Sequence, residues 1–253
     1  MNKEIFLHPK YTFDNFVVGE CNEQAFSQAA AITTTRQEPT KPLMIHGSMG
    51  VGKTHLLHAI IHNLLKNGLE KCIVYATGET FVNDVYETLE SSKNNENACF
   101  DFENKYKEAD VLVIDDLEPI FKQNLTRKIY LEVLWKLREN NKRVIMSSTK
   151  FPESSANHRK WKLYVHESQC VEVKEPDFKT RCTILQKKIK MDDLEKYDVS
   201  MEVIQFLAKK VRGNVRMLEG VFNKTVAMYR LQHAQRFDLT FVKQCYKEIE
   251  RYI

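Results

Sequence analysis

Eight consecutive residues, 47–54 (GSMGVGKT), carry the most readily named chemistry in the chain. They fit G-x-x-x-x-G-K-[ST], follow an apolar run at 43–46 (LMIH) and precede a stretch of helical periodicity at 54–66. A strand, a glycine-rich turn and a helix in that order form a phosphate cradle. Gly50 and Gly52 let backbone N–H groups turn inward on a β-phosphate, and the N-terminus of the following helix adds its dipole to the same anion. Lys53 supplies a mobile positive charge for the β- and γ-phosphates, and the Thr54 hydroxyl is a ligand for Mg²⁺. Gly47, Gly50, Val51, Gly52, Lys53, Thr54 and His55 are therefore the predicted contacts for ATP or ADP with Mg²⁺.

A second apolar run, 111–114 (VLVI), ends in two carboxylates, Asp115 and Asp116. A buried strand that delivers acids at its C-terminal end suits a metal next to phosphates. Asp115 is expected to hold Mg²⁺ through water, and Asp116 stands where a general base would polarise the attacking water.

The elements that must position these groups are legible as alternation. Short apolar runs at 43–46, 72–76, 111–114, 143–147 and 170–173 read as strands, with helical periodicity between them at 54–66, 79–90, 124–140 and 179–190. Such alternation predicts an α/β domain with a parallel sheet covered on both faces. Beyond about residue 189 the strand signals stop. Three amphipathic helices, at 200–211, 215–231 and 240–253, predict a small C-terminal helical bundle. A boundary near Met191 would divide the chain into an α/β domain at 1–190 and a helical domain at 191–253. The run 91–98 (SSKNNENA) reads as a polar loop inside the first domain.

Bulk properties narrow the class. The 253 residues suffice for a buried core, and 38 basic against 34 acidic residues leave a formal charge of +4. That balance permits contact with nucleic acid without demanding it. The six cysteines are scattered, as reduced thiols of a cytoplasmic protein would be. No run reaches membrane-spanning length, and MNKEIFLHPK lacks the apolar centre of a secretion signal. His46, His55 and His58 are spaced for buried or capping roles, and Trp135 suits the apolar face of its helix.

Further motifs point to one family. Residues 11–19 (YTFDNFVVG), with Asn22 and Ala25, resemble the segment that closes over adenine in the bacterial replication initiator DnaA. The resemblance continues through 52–59 (GKTHLLHA), 81–84 (FVND), Asn104-Lys-Tyr, 110–116, Pro176-Asp177, Thr180-Arg181 and 213–220 (GNVRMLEG). It covers residues 11 to about 250 and implies an AAA+ P-loop NTPase with a parallel β-sheet core and a small helical lid. It further implies adenine contacts at Val17, Val18 and Asn22, and an Arg216 that reaches from the lid to the γ-phosphate.

Departures from the family pattern shape the functional expectation. Nothing resembles the initiator's sequence-reading helix-turn-helix domain, so weak or no sequence-specific DNA binding is expected. The initiator's sensor 1 ends Ser-Ser-Asp, whereas this chain has Ser147-Ser148-Thr149. Counting back from Pro176-Asp177, its arginine-finger position falls on Tyr164, which predicts slow hydrolysis and a gain from arginine there; Arg159 and Lys160 lie nearby. Tyr86, Gln123 and Leu125, with Lys122 and Arg127 beside them, occupy the positions that grip single-stranded DNA in the initiator, but Asp84, Glu87 and Glu90 make that helix acidic. The expectation is an Hda-like regulator of replication initiation, with weak ATPase activity, acting by nucleotide-dependent contact with the initiator or other AAA+ subunits. A helicase loader acting on the replicative helicase and a nucleotide-gated module without significant hydrolysis are the alternatives. MNKEIFLHPK does not clearly contain a clamp-binding motif, so dependence on a sliding clamp is not carried over.

Overall fold

The computed structural model describes residues 6–34, 41–68, 72–93, 97–151 and 159–252. These fall into two compact units. The first comprises 1–16, 24–47 and 53–173 and is built on five parallel strands: β1 (Leu43–His46), β2 (Ile73–Thr77), β3 (Val111–Asp115), β4 (Arg143–Ser148) and β5 (Gln169–Glu172). Their spatial order is β2-β3-β4-β1-β5. Each strand lies within a residue or two of its predicted run. β3 and β4 are buried along their whole length, which is why their centres, 111–114 and 144–146, read as apolar runs and not as alternation.

Helices fill the connections: α1 (Glu23–Thr34), α2 (Lys53–Asn67), α3 (Gly78–Ser91), α4 (Ala98–Lys107), α5 (Glu118–Phe121), α6 (Asn124–Glu139) and α7 (Arg159–Glu167). α2 buries Leu56, Leu57, Ile60, Ile61 and Leu64, the stripe its periodicity predicts. α1, α4, α5 and α7 were not anticipated. In α4 the core-facing residues are Ala98, Phe102 and Tyr106, one per turn, hidden in sequence among four charged residues. The polar run 91–98 is described only at its ends, where it closes α3 and opens α4.

The second unit comprises 17–23, 48–52 and 174–253, and contains α8 (Phe178–Met191), α9 (Met201–Lys210), α10 (Val215–Leu231) and α11 (Leu239–Ile249). Each helix has a side-chain cap: Asp177, Ser200, Asn214 and Asp238 accept from the backbone N–H of Thr180, Val203, Met217 and Phe241. The boundary lies earlier than the one expected near Met191. Cys182, Leu185 and Ile189 of α8 share one apolar core with Leu207, Leu218, Phe222 and Val242, so α8 belongs to the helical unit. Among the described residues no helix is long and apolar enough to cross a membrane.

Candidate nucleotide site

The chain leaves β1 into the glycine loop with unusual dihedrals. Gly47, Gly50 and Gly52 have φ of 149°, 77° and 111°. At Gly47 a Cβ would stand 2.0 Å from the Val173 carbonyl oxygen, so the backbone just past β5 forbids a side chain there. Within the helical unit, a Cβ on Gly50 would meet the Arg216 Cβ at 2.9 Å, and the Arg216 backbone N–H donates to the Gly50 carbonyl at 3.2 Å. Arg216 lies in the first turn of α10, directly after the Asn214 cap, and its side chain is exposed. Val51 is buried.

Lys53 opens α2 and is only 8 % exposed, with its ammonium donating to the Gly47 carbonyl at 2.7 Å. One residue on, the Thr54 hydroxyl donates to Asp115 Oδ2 at 2.7 Å. The other Asp115 oxygen accepts from the Ser147 hydroxyl of β4, which in turn accepts from the Asp116 backbone N–H at 2.9 Å. These are hard oxygen donors of the kind Mg²⁺ takes, on a scaffold whose carboxylate is already oriented. Asp116 follows β3 at φ 64°, a left-handed conformation that turns the chain out of the strand and that aspartate tolerates better than most residues.

Glu118 was missed in sequence, and no spacing signals it, because its partner is 31 residues away. The Thr149 backbone N–H and hydroxyl both donate to Glu118 Oε1, each at 2.5 Å, so the end of β4 carries a carboxylate supplied by α5. A hydrogen bond to Glu118, burial and two neighbouring negative charges push the Asp116 carboxyl up to about 7. Burial opposes ionisation of Glu118, yet hydrogen bonds from Asp116 and Thr149 outweigh it and hold this carboxyl down at about 2.

Tyr164 corrects the finger assignment. It is 1 % exposed, packed with Trp161 in the sheet-domain core, and burial drives its phenol well above the usual range. A core position presents nothing to a neighbouring subunit. The spacing of Trp161, Tyr164 and Val165 on α7 was the available signal, and the solvent face of that helix carries Arg159, Lys160 and Lys162 instead.

The remaining predicted residues are placed as follows. His55 Nε2 bonds the Thr12 carbonyl at 2.9 Å and its ring stacks on Tyr11, while the His58 ring pairs with Tyr75 and accepts from the His8 backbone N–H. These histidines fasten the segment before residue 17 to α2. In the helical unit Asn22 holds a turn, its amide donating to the Val17 carbonyl at 3.0 Å and its oxygen accepting from the Gly19 N–H at 2.9 Å. Val17 packs on the helical core and Val18 is exposed. Tyr86 is exposed and bonds Gln123.

The strand order, the glycine loop ahead of α2 and the paired acids after β3 define a nucleotide-binding AAA+ core with a C-terminal helical region. Residues 7–163 match the family model for the bacterial DnaA ATPase domain. The chain belongs to that family. It is 36% identical over 250 residues to the chromosomal replication initiator protein DnaA of Thermoanaerobacter sp. (strain X514), covering 96% of this chain and 53% of the relative. Against the Lachnoclostridium phytofermentans initiator it is 34% identical over 251 residues, again covering 96% of this chain and 52% of the relative. The chain thus spans about half the length of the curated relatives it matches. Among solved structures, domain III of Thermotoga maritima DnaA superposes with a TM-score of 0.84 at 28% identity, covering 96% of this chain and 98% of that one. AMPPCP-bound DnaA from Aquifex aeolicus gives 0.76 at 29% identity, covering 91% and 68%.

Proposed function

We propose that this chain binds ATP with Mg²⁺ and regulates replication initiation by nucleotide-dependent contact with initiator-type AAA+ subunits. The observation that carries the reading is the bonded set at the end of β3 and the start of α2. A Thr54 hydroxyl lies 2.7 Å from the Asp115 carboxylate, beside a buried Lys53 ammonium. In a relative of the same fold the ligand is AMPPCP, an ATP analogue. Lys53 would face the β- and γ-phosphates, with the glycine loop from Gly47 through Gly52 giving backbone N–H groups to the same oxygens. Thr54 and Asp115 would hold the Mg²⁺, which neutralises charge on the phosphates when bound. Val17, Val18, Asn22 and His55 are the proposed surroundings of the base, and Arg216 the cation of the helical unit that reads the γ-phosphate. Asp116 would accept the proton of the attacking water, giving slow intrinsic hydrolysis. Acceleration would need a cation from a neighbouring subunit, and on this chain that cation would come from the exposed face of α7.

Labelled-ATP binding tests the pocket. Lys53→Ala is expected to weaken binding by about 1.5–3 kcal/mol, roughly ten- to a hundredfold, and wild-type affinity in this variant would sink the assignment. Sedimentation of ATP-loaded initiator with and without the chain tests the partner. The length of the assemblies should change with wild-type protein and not with Lys53→Ala. The alternative of a helicase loader predicts instead that the replicative helicase co-sediments.

A further inference from the structure

Helices α4, α6 and α7 of the sheet domain line a groove of about 1180 Å³, and no residue given a role at the nucleotide site borders it. Its apolar surfaces are Phe100 of α4, Leu131 and Trp135 of α6, and Leu163 of α7. Phe100 and Leu163 are 63 % and 49 % exposed. Trp135 is partly buried and belongs to neither apolar core. Its ring meets that of Tyr164 edge-on at 6.3 Å, with the Arg138 guanidinium at 5.0 Å. Single exposed apolar residues are ordinary, but a group of them rimmed by charge marks an interaction surface.

Size and charge narrow the occupant. Small-molecule clefts are about 300–1,000 Å³, and this groove is larger and rimmed by exposed charges, so it suits a protein. The lining holds four lysines and four glutamates. That neutral balance gives a nucleic acid or a strongly charged peptide nothing to favour. Half of those charges stand on α6: Lys128, Glu132, Lys136 and Glu139. All four are exposed, and none makes an ion pair among the described residues. Spaced by fours and a three, they share one helix face and alternate in sign along it.

That order is its own complement. Reversing the helix and exchanging every sign turns Lys-Glu-Lys-Glu back into itself, and a two-fold axis reverses a helix. With the axis level with residues 133 and 134, Lys128 faces the second copy's Glu139, and Glu132 faces the second copy's Lys136. Each pair occurs twice, and Trp135 falls beside the axis. We propose that this face is a self-association surface, on which a second copy of the chain lays its α6 antiparallel to the first. Phe100, Trp135 and Leu163 supply the apolar burial, and aromatic anchors of this kind carry much of the affinity of an interface. The four ion pairs are individually weak in water and set the register.

The test is the oligomeric state of the whole chain, read by sedimentation velocity over a range of concentrations. Wild type is expected to dimerise with a Kd on the order of 10 µM, a weak value for a protein interface. Glu132→Lys puts lysine at both 132 and 136, so two attractive pairs become repulsive. Lys136→Glu does the same with glutamate. Each variant alone should dimerise at least about tenfold more weakly than wild type.

The two variants mixed in equal amounts should form a heterodimer with an affinity within about threefold of wild type, because each supplies the sign that the other lacks. Damage to the folding of α6 could not be repaired by mixing, so this rescue reads the contact itself. A wild-type chain that stays monomeric at about 100 µM overturns the proposal. So do single variants that dimerise as well as wild type, or a mixture that remains monomeric.

Discussion

Thr54 Oγ1 donates to Asp115 Oδ2 at 2.7 Å across 61 residues of sequence. The bond joins the start of α2 to the end of β3, although β4 lies between β1 and β3 in the sheet. Parallel pairing brings the C-terminal ends of all three strands to one edge, where ligands of open α/β sheets bind. Ser147 on β4 fills the gap by bonding Asp115 from the other side. Asp115→Asn keeps the shape but removes the negative charge. It should weaken ATP binding about tenfold in Mg²⁺ and little in a chelator. Titration calorimetry under the two conditions checks this, and equal losses in both would contradict a metal role.

Ser147→Ala should be costly although it removes one oxygen. The hydroxyl is fully buried, donates to Asp115 and accepts from the Asp116 N–H, so its loss leaves two polar groups short of a partner. The expected destabilisation is about 1–3 kcal/mol, measured by urea denaturation without nucleotide. A change within error would mean that water replaces the hydroxyl freely.

Tyr164 offers a test by opposite outcomes. Its hydroxyl is buried without a hydrogen-bond partner among the described residues, and its ring centroid lies 6.3 Å from that of Trp135. Tyr164→Phe removes only the unpartnered oxygen and should preserve or raise the melting temperature. Tyr164→Arg places a charge in an apolar core and should prevent stable folding. Faster ATP turnover from a folded Tyr164→Arg protein would restore this position as a subunit edge.

The acid pair predicts how stability depends on pH. Asp116 is raised from 3.8 to about 7 and Glu118 lowered from 4.5 to about 2. Between pH 4.5 and 7 the folded pair keeps a proton that the unfolded chain has released. The native state then binds more protons, so this contribution falls as pH rises through the window and is lost above it. Asp116 is exposed and Glu118 partly buried, and solvent screening keeps the slope well below the limit of about 1.4 kcal/mol per pH unit for one proton. Urea midpoints at acidic and alkaline pH should differ less in Asp116→Asn than in wild type. The same difference in both would assign the dependence elsewhere.

The position of α8 gives a further expectation. Its buried residues complete the helical core, so a fragment beginning at 174 should melt cooperatively and one beginning at 191 should not. Circular dichroism of the two fragments distinguishes this from the boundary read in sequence.

Sequence alone determined what local order can encode. The run from Gly47 to Thr54 demands positive φ and a following helix within eight residues, and the five apolar runs needed only their own composition to mark strands. Tertiary structure decided what depends on distant partners. Nothing around residue 118 announces a carboxylate that serves Thr149, because strand order, not spacing, brings α5 to the end of β4. Tyr164 reads as a polar edge residue by motif counting, yet α7 turns it into the core beside Trp161. α8 looks continuous with the sheet domain in sequence, and only the apolar surface it buries assigns it to the helices. Side chains that bond across tens of residues have no period or neighbour to betray them, and the packing of the sheet edge supplies that information.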